Sequence, residues 1–100
     1  MIKVRISKNL DSITIKGHAG YAEAGKDIVC AAVSSIVTTS INACLILDDE
    51  SIKYEEKEGL VIIDVLNHNE TTIKLINNMI NMLTELAENY KKNITIIKED

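Results

Sequence analysis

The sequence predicts an α/β (α+β) fold, a two-layer sandwich in which two helices cover one face of a mixed five-stranded sheet, in the order ββαββαβ. Three observations lead there. Short stretches of alternating apolar and polar residues occur at the start, middle and end of the chain. Two long stretches between them carry apolar residues at helical spacing, each with a broad apolar face. The length of 100 residues, with 46% hydrophobic and 26% charged content, suits a single domain, residues 1–100, around one core.

Ile2, Val4 and Ile6 alternate with Lys3, Arg5 and Ser7, and Ile13 and Ile15 repeat the pattern over residues 12–16. The intervening Lys8-Asn9-Leu10-Asp11 reads as a hairpin turn, which makes the first two strands antiparallel neighbours. After Lys16 the alternation stops and Gly17, Gly20 and Gly25 follow, so residues 17–26 read as a mobile loop. Asp27 is a good N-cap for a helix from Ile28 to Leu47. That helix has no charged residue, but Ser34, Ser35, Thr38, Thr39 and Asn42 form a neutral polar stripe, which argues for a core helix over a membrane span. The stripe also suits packing against a second copy of the chain. Asp48-Asp49-Glu50 is an unfavourable ending against the helix dipole. Strands over residues 52–56 and 60–66 join around Lys57-Glu58-Gly59 in a second hairpin. Asn67 and Glu70 have capping-box spacing for a second helix. Its seam is Ile73, Ile76, Ile80, Leu83, Ala87 and Tyr90, broadened by Leu75, Met79, Met82 and Leu86. Residues 94–98 close the chain as a strand.

A net charge of −4 points away from direct nucleic-acid binding, which normally goes with a basic stripe. With no Phe or Trp, aromatic recognition falls to Tyr21, Tyr54 and Tyr90. MIKVRISKNL lacks the apolar stretch of a signal peptide, and the two cysteines, Cys30 and Cys44, stand about 21 Å apart if one helix carries both, too far for a disulfide. Unpaired thiols without an export signal imply a cytoplasmic protein, and no membrane association is expected.

Chemistry concentrates in residues 17–35, GHAGYAEAGKDIVCAAVSS. Cys30 falls in the first turn of the expected helix, where unpaired N–H groups and the positive end of the dipole favour a thiolate. His18, twelve residues earlier, can take the thiol proton and later protonate a leaving amine. Cys30 can equally be a small core residue, and His18 an ordinary loop histidine. Cys44, within Ala43-Cys44-Leu45-Ile46-Leu47, reads as core. A closed zinc site on His18, His68, Cys30 and Cys44 is rejected because one helix separates the cysteines too widely, and His68 reads as a surface residue; no cofactor is expected. Asp27 can cap the helix and orient the imidazole, although its charge opposes that of a thiolate. Ser34, one turn beyond Cys30, can reach toward the site or bond back to its own helix.

Gly17-His18-Ala19, then Gly25, then Asp27-Ile28-Val29-Cys30-Ala31-Ala32-Val33-Ser34 resemble the signature of the ribosomal-processing cysteine proteases (Prp), and the resemblance extends over the whole chain. It implies a cytoplasmic bacterial cysteine endopeptidase that removes an N-terminal extension from a large-subunit ribosomal protein of the L-twenty-seven type, after an aromatic pair and before a small residue. It further implies Cys30 as nucleophile, His18 as acid–base partner, Asp27 and Ser34 as supporting residues, Gly17 as a hinge, and a homodimer. On this reading the oxyanion is held by helix-start N–H groups. The loop closes over an extended peptide, with Gly17, Gly20, Tyr21 and Gly25 on the substrate side. The competing expectations are a ribosome-associated binding or assembly module in which Cys30 is structural, and a redox-sensing thiol.

Overall fold

The computed structural model describes residues 1–17 and 27–99. Strands β1 (Ile2–Ile6) and β2 (Ser12–Lys16) precede helix α1 (Ile28–Leu47). Strands β3 (Ile52–Lys57) and β4 (Leu60–Val65), helix α2 (Glu70–Asn89) and strand β5 (Ile94–Lys98) follow. The sheet order is β3-β4-β2-β1-β5. All pairs are antiparallel except β1 with β5, so the sheet is mixed, as expected from the sequence.

Alternation decides which face meets the helices. Ile2, Val4 and Ile6 of β1, Ile13 and Ile15 of β2, and Ile63 and Val65 of β4 are buried beneath α1 and α2. From α1 the core receives Val29, Val33, Val37, Ile41 and Cys44, and from α2 it receives Ile76, Met79, Ile80 and Leu83. Each such side chain contributes roughly 1.5–3 kcal/mol on leaving water. Helix α1 is long and apolar enough to cross a membrane by composition, yet this stripe packs it into the core. Its opposite face, Ser35, Thr38, Thr39 and Asn42, is exposed and uncharged, and ends at Ile46, which is 82% exposed.

The structure departs from the sequence expectations in several places. The Lys8–Leu10 connection is a tight 3-10 turn in which Asn9 and Leu10 both have positive φ, 62° and 57°. Ser7 Oγ braces it by accepting from the Ser12 N–H at 2.8 Å. The second helix is capped by Asn69, whose side chain accepts from the Thr72 N–H at 2.8 Å, and not by Asn67. Asn67 is drawn elsewhere: its N–H donates to Ser51 O and its side-chain amide to Asp48 Oδ2 at 3.2 Å. Asp48 also accepts from the Glu50 N–H, so the acidic end of α1 is a hydrogen-bonded turn. Met82 is 44% exposed and stands outside the core, while Thr72 is buried there. The hairpin strands run one residue further in β3 and one less in β4, leaving Leu66 exposed.

Candidate active site

Asp27 begins α1 with extended backbone, and its carboxylate accepts from the N–H groups of Val29 at 3.0 Å and Cys30 at 2.9 Å. Its carbonyl accepts from the Ala31 N–H, the first turn of the helix. Cys30 is therefore the third helical residue, as its spacing from Asp27 predicts, and it is half-buried. The cap corrects one expectation. The N–H groups of Val29, Cys30 and Ala31 are all taken by Asp27, and of the helix-start donors only that of Ile28 has no partner among the described residues.

Cys30 opens into a cleft of about 170 Å³. Ile2, Ile15, Val33, Val37 and Val61 give it apolar walls, and Ser34, Gly17, Glu56, Lys57 and Gly59 contribute its polar parts. Ser34 lies one helical turn from Cys30 on the same cleft. Gly17 leaves β2 with φ +102°, and its N–H donates to Gly59 O at 2.8 Å, tying the end of β2 to the β3–β4 turn. A Cβ at Gly17 would fall 2.5 Å from the Met1 carbonyl oxygen, so both conformation and space require glycine there. The structure thus gathers Cys30, Ser34 and Gly17 around one cleft, with Asp27 bonded to the Cys30 N–H at the helix start. His18, Gly20, Tyr21 and Gly25 lie outside the described residues.

The turn between β3 and β4 is the part of the site that sequence reasoning missed. It reaches the cleft because Lys16 pairs with Leu60 and Ile15 with Val61, which sets Gly59 beside Gly17. The sequence signal was Gly59, whose φ of 68° closes the hairpin, but hairpin chemistry does not tell which strand lies next to it.

The second cysteine has a different environment. Cys44 is 1% exposed, and burial pushes its thiol above the ordinary 9.0. Neither cysteine is in a disulfide. Among the described residues no group of His, Cys, Asp and Glu could hold a metal ion. His68, expected at the surface, places Nε2 3.1 Å from Asp11 Oδ1, far along the chain from Cys30.

Residues 1–95 match the family model described as "Cysteine protease Prp". The ribosomal processing cysteine protease Prp of Staphylococcus aureus (strain Mu50) is 33% identical over an alignment spanning 96% of this chain and 97% of that protein. That of Mycoplasma genitalium is 60% identical over 37 residues, 37% of this chain and 35% of that protein. The crystal structure of the S. aureus protease with a covalently linked product peptide superposes with a TM-score of 0.93 at 28% identity, covering 98% of this chain and 99% of that one.

Proposed function

The chain belongs to the cysteine protease Prp family and is a cysteine endopeptidase, and from that premise we propose that Cys30 is its nucleophile and His18 its general acid–base. The observation that carries this reading is the position of Cys30, on the first turn of α1 at an apolar cleft whose rim is polar backbone and charged side chains. An extended peptide with bulky residues fits such a cleft, and the S. aureus relative is a protease with structures carrying product and substrate peptides.

In this mechanism Cys30 Sγ, its proton held by His18, bonds to the scissile carbonyl carbon and the carbonyl oxygen takes the negative charge. The Ile28 N–H, which has no partner among the described residues, is the helix-start donor for that oxyanion. His18 then protonates the amide nitrogen, the C–N bond breaks and a thioester remains. Water gives its proton to His18, adds to the thioester carbon and displaces Cys30, releasing the acid product. Asp27 fixes the helix start beneath the nucleophile, Ser34 donates into the cleft one turn away, and Gly17 lets the chain leave β2 toward His18. Gly20, Tyr21 and Gly25 complete the substrate side, with Tyr21 against an aromatic residue of the peptide.

The substrate is the N-terminal extension of a large-subunit ribosomal protein of the L-twenty-seven type, cut between an aromatic pair and a small residue in the cytoplasm. The test is cleavage of a fluorogenic aromatic-aromatic-alanine peptide, and of the ribosomal precursor, by the wild type and Cys30→Ala. Cleavage lost in the variant is expected; a variant that still cleaves, or a wild type that cleaves neither substrate, overturns the reading. The uncharged exposed face of α1 supports pairing of two copies through Thr38, Thr39 and Asn42. Sedimentation should then shift from dimer to monomer in Thr38→Lys/Asn42→Lys.

A further inference from the structure

The outward face of the sheet carries an arrangement that proteolysis does not use. Lys3 of β1 stands directly opposite Lys16 of β2. The same row continues to Thr95 on one side, and to Leu60 and then Lys57 on the other. The next outward row reads Ile97, Arg5, Thr14, Ile62 and Glu55. Like charges placed opposite one another on paired strands destabilise a sheet. The other cations of this face have acidic neighbours: Lys57 Nζ is 3.3 Å from Glu55, Arg5 Nη1 is 3.9 Å from Glu99, and Lys53 is opposite Asp64. Lys3 and Lys16 have no ion-pair partner among the described residues. Between them lies a hollow of about 310 Å³ lined by Met1, Lys3, Arg5, Thr14, Lys16 and Gly17.

Two uncompensated ammonium groups and the Thr14 hydroxyl around one hollow suit a phosphate, with the Arg5 guanidinium, shared with Glu99, on the same lining. The net charge of −4 hides this because the outward face carries Lys3, Arg5, Lys16, Lys53 and Lys57 against Glu55, Asp64 and Glu99, a local excess of positive charge. We propose that this open face docks the phosphate backbone of structured RNA, which rests on the reading above that the substrate is a ribosomal protein and so belongs to an RNA particle. Gly17 lines both the hollow and the Cys30 cleft, so RNA bound here lies beside the cleavage site.

The test is fluorescence anisotropy of a labelled RNA hairpin at about 50 mM salt, then across rising salt. The wild type should bind. Lys3→Gln/Lys16→Gln should bind at least about tenfold more weakly, and its log–log salt slope should be shallower by about 2, one unit for each lost phosphate contact. Lys91→Gln/Lys92→Gln, between α2 and β5, should bind as the wild type does. The proposal falls if the wild type does not bind, if the Lys3/Lys16 variant binds equally well, or if phosphatidylglycerol vesicles outcompete the RNA. Peptide cleavage is measured on the same samples, so a protease that cuts but ignores RNA refutes this proposal alone, and one that binds RNA but cuts nothing refutes the protease reading alone.

Discussion

The Asp27 carboxylate accepts a hydrogen bond from the Cys30 backbone N–H at 2.9 Å, so the residue that starts the helix also holds the backbone of the proposed nucleophile. Two functions meet in one side chain. Asp27→Ala should lower stability by about 0.5–2 kcal/mol in urea unfolding, the usual cost of a lost cap, while Asp27→Asn should restore nearly all of it. If Asp27 also orients His18, Asn will rescue stability without rescuing kcat. Equal rescue of both by Asn would leave Asp27 with the cap alone.

The two thiols should separate cleanly in alkylation. Iodoacetamide at neutral pH should label Cys30 in the folded protein at least about tenfold faster than Cys44, as read by mass spectrometry of the digested chain. The buried Cys44 thiol is held above 9.0 in the folded state, whereas the unfolded chain ionises it near its ordinary value. Its effect on stability is therefore constant at lower pH and turns unfavourable as the pH rises past 9.0 toward the folded value, because the unfolded state then loses the proton first. The urea midpoint should fall between about pH 8 and pH 10, and fall less in Cys44→Ala. Parallel declines in the two proteins would assign the alkaline loss to other groups.

Gly17→Ala is expected to cost about 1–3 kcal/mol, since it adds a Cβ at a positive φ and against a backbone carbonyl that cannot swing away. Thermal unfolding measures the loss. A wild-type melting temperature in this variant would mean that the end of β2 can be rebuilt without its bond to Gly59.

The cleft predicts a binding effect separate from chemistry. Val61→Phe places a ring among Ile15, Val33 and Val37 and takes up space that the peptide needs. KM for an aromatic-pair peptide should rise roughly tenfold, the scale of one apolar pocket contact, with a much smaller change in kcat. An unchanged KM would move the aromatic side chains of the substrate to another surface.

Much of this architecture could be read before any coordinates. Asp27 was legible as a cap because an acidic residue stands directly before an uninterrupted apolar run, and Cys30 followed from counting three residues on. Asn67 and Asn69 were not separable, since both are good caps two residues apart and the choice depends on Asn67 bonding to Asp48 and Ser51 across the fold. The walls of the cleft were hidden for a similar reason. Val61 and Gly59 reach it through the β2–β4 register, a long-range pairing that no local pattern states. The basic outward row was half visible: Lys3 and Lys16 were clearly polar-face residues, but only pairing sets them opposite each other.

The far end of α1 is anchored. Ser51, fully buried, donates its hydroxyl to the Cys44 carbonyl at 3.0 Å, and its own carbonyl accepts from Leu66 and Asn67 at the end of β4. A helix is stiff along its axis, and about 21 Å of it separates Cys44 from Cys30. The helix that carries the proposed nucleophile is thus tied down at both ends, by Asp27 at its start and by Ser51 beyond its last turn.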